Sequence, residues 1–172
     1  MHINRKKCFF GRLVVKYFGH RISFDGVSMD PQKVSSVQAW LVPRNVNEVR
    51  GFLGLTSYYH KFIKDYGKVA KPLTDLTKTN SFHWGPLAQQ AFEFLKQSML
   101  SAPVLALPDF SLPFLVECDA SGGGVGAVLM QRGRPIAYFS KALSISNLAK
   151  FIYEELMALV LAIQHWRQYL LG

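Results

Sequence analysis

The sequence has 172 residues, of which 49% are hydrophobic and 13% aromatic, and its formal net charge is +9. These proportions are typical of a folded globular protein, and no apolar run reaches the roughly 18 to 20 residues that a membrane-spanning helix needs. The N-terminus lacks the pattern of a secretory signal, and Cys8 and Cys118 form neither a disulfide framework nor a CxxC metal pair. We therefore expect an intracellular protein of a reducing compartment, in the cytoplasm or the nucleus, without a membrane partner.

The first third of the sequence predicts a β-hairpin followed by two helices. Residues 8–24 contain short apolar runs punctuated by glycines, which predicts the hairpin. Residues 30–42 open with Asp-Pro, a helix N-cap followed by proline at the first helical position. Residues 45–64 start with capping-box spacing and repeat apolar residues every three and four positions, which predicts an amphipathic helix.

The middle of the sequence is less regular. Residues 71–81 begin with Lys-Pro and predict a turn-rich segment. A helix restarts at residues 84–86, and its apolar side consists of Ala91, Phe92, Leu95 and Met99. Residues 102–113 contain three prolines and predict an extended linker.

Beyond the linker, apolar and polar residues alternate along residues 112–119 with the period of a β-strand. This alternation and the glycine turns that follow it predict three strands, at residues 112–119, 125–131 and 135–140, joined as an antiparallel meander. Residues 147–171 then have the spacing of one long helix. Three strands and one helix make an open sheet with an edge and one face under-covered, so this half looks truncated.

Positive charge is concentrated in the first half of the chain. Residues 1–80 contain fourteen Lys and Arg against five Asp and Glu, whereas residues 81–172 contain six of each class. This asymmetry favours a polyanionic partner. Aromatic residues surround Lys61 and Lys64, a mixture that nucleic-acid clefts use for phosphate contact and stacking. Together with Arg50 they are candidate phosphate contacts, although the same residues also fit a solvated helix face.

Two acidic residues in the second half are candidate ligands of a divalent cation. Asp119 ends the first strand beyond the linker, and Glu155 falls within the apolar stripe of the long helix. An acid on such a face is usually paired, bound to a metal or at a cleft rim, because burial of an unpaired carboxylate is costly. Brought together, the two would offer the oxygen ligands that Mg²⁺ requires. Alternatively, Asp119 only caps a Gly-rich turn and Glu155 only pairs with Arg132, Arg134 or Lys141.

Motifs along nearly the whole chain resemble the reverse transcriptase of gypsy-type LTR retrotransposons. The matching segments, in order, are residues 8–23 (last palm hairpin), 26–34 (continuation into the thumb), 43–63 (thumb helix), 82–84, 91–96 and 102–105 (connection), and 118–121, 126–131 and 135–140 (opening of RNase H). Each segment is a weak signal alone, and their common order makes the resemblance strong.

The resemblance implies an α+β fold with a helical thumb and connection plus a truncated RNase H-like α/β domain. That domain would contain three antiparallel strands and one long helix. Four regions are implied: a palm-hairpin remnant at residues 1–26, a helical thumb at 27–80, a connection helix and linker at 81–111, and the N-terminal half of the RNase H-like domain at 112–172.

The resemblance also implies a chemistry. In the family, an Asp-Glu-Asp-Asp set holds two Mg²⁺ ions that promote cleavage of the RNA strand of an RNA–DNA hybrid. It places the first Asp on Asp119 and the Glu on Glu155, whereas the other two acids and the polymerase aspartates have no match in this sequence. We therefore expect a polyprotein fragment that binds Mg²⁺ weakly or not at all and is inactive alone, so the sequence leaves its status as an enzyme open.

The implied partner is an RNA–DNA hybrid or another duplex, contacted at its phosphates by Arg50, Lys61 and Lys64 without sequence readout. The remainder of a reverse transcriptase is a second implied partner. The alternative is a non-catalytic nucleic-acid-binding or interaction module.

Overall fold

The computed structural model describes residues 10–121, 124–142 and 151–171, except for the side chains of residues 121 and 151–154. The first sheet is antiparallel and consists of β1 (Val14–Tyr17), β2 (His20–Ser23) and β3 (Gly26–Met29), in that order. The predicted hairpin therefore has a third strand. Gly26 has a φ of +133°, a backbone conformation that favours glycine, and it lets the chain reverse from β2 directly into β3.

Four helices follow the first sheet. They are α1 (Pro31–Gln38), α2 (Val46–Tyr58), α3 (Tyr66–Asp75) and α4 (Pro86–Leu100), with a 3-10 helix at His60–Phe62. The predicted caps are confirmed, because the Asp30 carboxylate accepts a hydrogen bond from the Gln32 amide and the Asn45 side chain accepts one from the Glu48 amide. The Glu48 carboxylate in turn accepts from the amide of Arg44.

Between α2 and α4 the prediction from the sequence was wrong in part. The second helix was expected to reach about Lys64, but α2 ends at Tyr58. Of the turn-rich segment expected at residues 71–81, residues 71–75 are instead the second half of α3, with Pro72 inside the helix, whereas residues 76–80 form turns and a bend, as expected. Proline removes a backbone donor, and this cost is offset because Ala70 and Leu73 are buried in the helical core.

Residues 14–100, which contain the first sheet and α1 to α4, form the helical half of the protein. Its hydrophobic core is centred on aromatic side chains of α2 and α4. Phe52 and Phe92 are completely buried, and their ring centroids lie 4.6 Å apart. Trp40 and Trp84 pack edge-on against this pair, an arrangement that aromatic rings favour. Leu105 of the linker belongs to the same core, so the linker is anchored in the helical half.

The second sheet lies beyond the linker, and the last long helix of the protein packs on one of its faces. It consists of β4 (Leu115–Ser121), β5 (Gly124–Gln131) and β6 (Arg134–Ala142), in that order, with α5 (Phe151–His165) and the short α6 (Arg167–Leu170) following. Leu129 of β5 packs against Ala162 and Trp166, and all three side chains are buried. The three strands agree with the prediction, whereas the single helix predicted to residue 171 is interrupted at Trp166, between α5 and α6. The predicted helix start at residue 147 lies outside the described residues.

The linker is extended, as predicted, but it is hydrogen-bonded to both sheets. Val27 of β3 and Leu105 form an antiparallel bridge with N···O distances of 2.8 Å in both directions. The next residue, Ala106, donates its amide to the Pro135 carbonyl of β6 at 2.7 Å. The linker therefore connects the two sheets through backbone hydrogen bonds as well as through the chain itself.

On the face of the second sheet opposite α5, the helical half covers β6. α3 and the 3-10 helix pack against β6, and the Gly67 amide donates to the Ser140 hydroxyl at 2.6 Å. A Cβ at Gly67 would lie 3.2 Å from the Ser140 carbonyl oxygen, so the absence of a side chain permits this close approach. The expectation of an under-covered face was therefore wrong for β6, whereas Leu115 and Asp119 of β4, at an edge of the sheet, are exposed on this face.

The α+β class predicted from the sequence is confirmed, with a helical half beside a sheet of three antiparallel strands and one long helix. The four predicted regions at residues 1–26, 27–80, 81–111 and 112–172 stay a prediction, and β3 begins at the first of their boundaries. Within the described ranges, no helix is both long and apolar enough to cross a bilayer.

His20 should make the protein less stable in mild acid. Its Nδ1–H donates to the Phe18 carbonyl at 2.9 Å, while Nε2 is buried without a hydrogen-bond partner. Burial, followed by the nearby Lys61, lowers the pKa of His20 below its ordinary value of 6.5. As the pH falls through that value the unfolded chain takes up a proton first, so the free energy of unfolding should decrease.

Urea unfolding at pH 7.5 and 5.5 measures this effect. We expect His20→Phe to lose less stability than the original protein over this interval. His83→Phe, at an exposed position, serves as the control and should not alter the pH dependence. Equal losses in the original protein and in His20→Phe would contradict the prediction.

Candidate functional site

Asp119 lies near the end of β4 on the face of the sheet toward α3. Successive residues of a strand point to opposite faces. Val116 and Cys118 pack on the α5 side, so Asp119 projects to the other side. Its side chain is 70% exposed, and its Oδ2 lies 3.8 Å from the Nζ of Lys68. The structure thus places the acid at the strand end, as predicted, and gives it a cationic neighbour.

Glu155 lies in the first half of α5, on the side that faces the sheet, and is exposed. It precedes Ala162 by two helical turns and Trp166 by three, and both of these side chains are buried against the sheet. Leu159 and Ile163, predicted in the same stripe, are 38% and 43% exposed, so the buried stripe is shifted from the predicted one. An exposed acid on a buried face fits the rim of a cleft.

The two acids lie at the same end of the second sheet and on opposite faces. Ala158, one turn after Glu155, packs with Val125 and Ala120. Val125 and Ala120 are paired across the strands near the C-terminal end of β4. β4 is an edge strand, so the two faces of the sheet meet along its open side, and we call this end of the sheet the rim. The structure therefore brings Asp119 and Glu155 to one end of the sheet without placing them on one face.

The alternative partners of Glu155 lie in different places. Arg132 and Arg134 are at the turn between β5 and β6, at the far end of the sheet, and the Arg134 guanidinium donates to the Asp25 carbonyl. Lys141 pairs with Val125 in the ladder and is at the near end. Of the three basic residues considered from the sequence, only Lys141 lies at the end of the sheet that carries Glu155.

A cavity of about 120 Å³ opens beside Asp119, between the helical half and the second sheet. Its charged lining residues are Lys64, Asp65, Glu117 and Asp119. Asp65 precedes α3 with a φ of +56°, a conformation that is uncommon outside glycine. A Cβ at Gly126 would lie 2.5 Å from Asp65 Oδ1, so the glycine leaves room for this carboxylate against β5.

Lys68 links the helical half to the acids of this cavity. Its Nζ lies 3.5 Å from Asp65 Oδ1 and 3.8 Å from Asp119 Oδ2. The side chain is only 19% exposed, and a Cβ at Gly124 would lie 3.2 Å from its Cγ, so the aliphatic stem packs beside the start of β5. The ammonium group is therefore held near Asp119 by packing as well as by charge.

The side chains at this rim suit a hard cation, but they do not form a complete metal centre. Asp119, Glu117 and Asp65 offer carboxylate oxygens, the ligands that Mg²⁺ prefers. The ammonium group of Lys68 lies beside two of them and partly neutralises their negative charge. Across the residues that the structure describes, no group of three or more His, Cys, Asp or Glu side chains could hold a metal ion.

The candidate phosphate contacts lie in two places. Arg50 is near the start of α2 and donates to the Thr77 carbonyl at 3.3 Å. Lys61 and Lys64 follow the other end of α2, on the order of 15 Å away given the rise of a helix. The Nζ of Lys61 lies 5.4 Å from the Phe62 ring centroid, and burial lowers the pKa of Lys61. Lys64 is exposed and shares the cavity with Asp119.

Three residues of the site were missed in the sequence: Asp65, Lys68 and Glu117. The alternation along β4 could have placed Glu117 on the same face as Asp119. Nothing near Asp65 or Lys68 in the sequence indicates β4 as their neighbour, since that contact depends on how α3 docks on the sheet.

Residues 84–172 match the sequence model of a family described as an RNase H-like domain found in reverse transcriptase. An uncharacterized mitochondrial protein of Arabidopsis thaliana is 52% identical over 118 residues, covering 67% of this chain and 75% of that protein. A retrovirus-related Pol polyprotein from transposon opus of Drosophila melanogaster is 39% identical over 190 residues, covering 100% of this chain and 19% of the polyprotein. The chain thus spans a small part of such polyproteins.

Solved structures share the fold. The foamy viral protease-reverse transcriptase in complex with an RNA/DNA hybrid superposes with a TM-score of 0.87 at 23% identity, covering 97% of this chain and 24% of that one. The same enzyme's dRH form in complex with double-stranded DNA gives a TM-score of 0.85 at 23% identity, with coverages of 94% and 30%. The family match includes α4, the second sheet and α5 with the rim that carries Asp119 and Glu155, and the chain belongs to the family of RNase H-like domains found in reverse transcriptases.

Proposed function

We propose that this chain is part of a gypsy-type retrotransposon reverse transcriptase and binds an RNA–DNA hybrid across the rim that carries Asp119 and Glu155. The proposal rests mainly on one observation, that the exposed Lys64 lines the same cavity as Asp119. A phosphate held by Lys64 brings the nucleic-acid backbone next to the acids. The excess of basic residues in the first 80 positions supplies a field that attracts a polyanion.

In this proposal Asp119 and Glu155 hold a divalent cation, with Mg²⁺ as the physiological ion. Such an ion lowers the pKa of a bound water and stabilises charge on the leaving oxygen in phosphodiester hydrolysis. The carboxylates orient the ion, and Lys64 orients the phosphate by a contact that does not read the base sequence. Sequence-independent binding suits a nuclease that acts along a whole hybrid.

We further propose that hydrolysis requires carboxylates from another polypeptide segment, such as the remainder of a reverse transcriptase. Two-metal hydrolysis in the family uses four acids, and Asp119 and Glu155 are the two that match. The second candidate function is a non-catalytic duplex-binding module. Two observations favour this second function: the acid set is incomplete among the described residues, and the first 80 positions are strongly basic.

Cleavage and binding of a labelled RNA–DNA hybrid, recorded together with Mg²⁺ or Mn²⁺ present, separate these functions. Cleavage that is lost in Asp119→Asn would show that the chain completes its own site and would overturn the requirement for further acids. Binding without cleavage would support the duplex-binding part. No binding at low salt would overturn the proposal as a whole.

Lys64→Ala should weaken hybrid binding threefold to tenfold at low salt, because it removes one phosphate contact. The slope of log K against log salt concentration should fall by about one. Fluorescence anisotropy at several salt concentrations measures both quantities. Lys33→Ala, an exposed lysine on α1, removes the same charge elsewhere in the helical half and should change the affinity much less. Equal effects of the two variants would contradict a specific contact at Lys64.

A further inference from the structure

Lys68 is the residue of this site that neither the sequence motifs nor the proposed hydrolysis accounts for. It lies on α3, in the helical half, yet its Nζ is 3.8 Å from Asp119 Oδ2 on β4 of the second sheet. It is also 3.5 Å from Asp65 Oδ1 at the N-terminus of its own helix. One ammonium group therefore lies between a carboxylate of each half.

Three close contacts hold Lys68 in this place. The Gly67 amide donates to Ser140 at 2.6 Å, which fixes the first turn of α3 on β6. Gly124 leaves room for the stem of Lys68, and Gly126 leaves room for Asp65. A Cβ at Gly126 would displace the Asp65 carboxylate, and one at Gly124 would collide with the Lys141 carbonyl oxygen at 2.6 Å as well as crowd the stem of Lys68. The position of the ammonium group thus follows from the docking of α3 and is not that of a freely rotating surface lysine.

We infer that Lys68 is a positioning residue that acts as the resident counter-ion of Asp119, so that a divalent cation competes with it for that carboxylate. The inference rests on the proposed function, in which Asp119 is a metal ligand. A cation at Asp119 and the ammonium group of Lys68 carry charges of the same sign within a few ångströms. Their repulsion lowers the affinity of the protein for the metal.

Lys68 would also couple binding of the duplex to binding of the metal. Lys64 lines the cavity beside Asp119, and a phosphate bound there would offer the ammonium group of Lys68 an anionic partner in addition to Asp65 and Asp119. Movement of Lys68 from Asp119 to the phosphate would free the carboxylate for the ion. Binding of the duplex and of the cation are then coupled, and each should raise the affinity for the other by the same factor.

The test is direct measurement of Mn²⁺ binding by the electron paramagnetic resonance signal of the free ion, with and without a hybrid duplex. Lys68→Met should bind Mn²⁺ threefold to tenfold more tightly than the original protein when no duplex is present. The difference between the two proteins should shrink when the duplex is added. Lys68→Arg, which restores the charge, should return the affinity to near the original value.

The control for the loss of one positive charge is Lys78→Met. Lys78 is also paired with an aspartate three residues before it, at 2.6 Å, but on an exposed surface outside this cavity. We expect it to change Mn²⁺ affinity by less than half of the effect of Lys68→Met. If methionine at position 68 disturbs folding, Lys68→Gln provides a second neutral variant of similar length.

Asp119→Asn separates failure of this inference from failure of the proposed function. If Asp119→Asn weakens Mn²⁺ binding but Lys68→Met and Lys68→Gln do not strengthen it, the role of Lys68 is overturned and Asp119 stays a ligand. If Asp119→Asn leaves Mn²⁺ binding unchanged, the metal site of the proposed function is itself overturned. Absence of Mn²⁺ binding in every variant, with or without duplex, would overturn both.

Discussion

Replacing Gly26 by alanine should lower the free energy of unfolding by about 3 kcal/mol or more. Gly26 has a φ of +133°, which L side chains rarely adopt. A Cβ at this position would collide with the carbonyl oxygen of Leu105, the atom that accepts a hydrogen bond from Val27. The variant must therefore shift the backbone of β3 or release the linker from it. Urea denaturation followed by circular dichroism measures the loss.

The matched control for Gly26→Ala is Gly54→Ala, which is expected to have the opposite sign. Gly54 is exposed within α2, and a Cβ there meets no other atom within 4 Å. Alanine has the higher helix propensity, so this variant should gain about 0.5 to 1 kcal/mol of stability. A neutral effect of Gly26→Ala would show that the contact between β3 and the linker is not rigid.

Among truncations of side chains in the second sheet, α5 and α6, Trp166→Ala should be the most destabilising, lowering the free energy of unfolding by about 3 to 5 kcal/mol. The Trp166 side chain is 2% exposed and lies where α5 ends. It packs edge-on against Phe139 of β6, with ring centroids 6.2 Å apart, and belongs to the same core as Leu129 and Ala162. Its removal leaves a cavity between helix and sheet that these neighbours cannot fill.

Ile163→Ala, on the same helix, provides the comparison for Trp166→Ala. Ile163 is 43% exposed, so less apolar area returns to water and we expect a loss below about 1 kcal/mol. Thermal and urea unfolding of both variants decide the point. Similar losses in the two would mean that the exposed side of α5 is covered by a partner in solution.

The sequence was most informative where a local pattern and the final environment agree. The second sheet could be predicted because β4 alternates and glycine turns separate the strands that follow, and the cap at Asn45 because a side chain bonds to a backbone group three residues away. α3 could not, because Pro72 and the lysines around it carry the local signal of a turn. Its burial against α4 decides the outcome, and that contact is invisible before the chain folds.

The candidate site shows the same division. Asp119 and Glu155 could be proposed from a strand end and a helix face, with support from the family resemblance, and their role stays a prediction. The neighbours of Asp119 could not be proposed, because Asp65 and Lys68 reach it only through the docking of α3 on β6. Charges that meet across a tertiary contact leave no periodic trace in the sequence.

Leu105 is hydrogen-bonded to β3 and Ala106 to β6, and these bonds limit how the protein can be divided into separate fragments. A polypeptide that begins at residue 84, where the family match starts, would keep β6 but lose α3, which packs on it, and Val27, which bonds to the linker. Ser140 and Leu105 would then be exposed to solvent, and the sheet would lose the helix that covers one side. The segment that the family model matches is thus smaller than the unit that folds, and an insertion or a protease cut at the linker should not release two intact pieces.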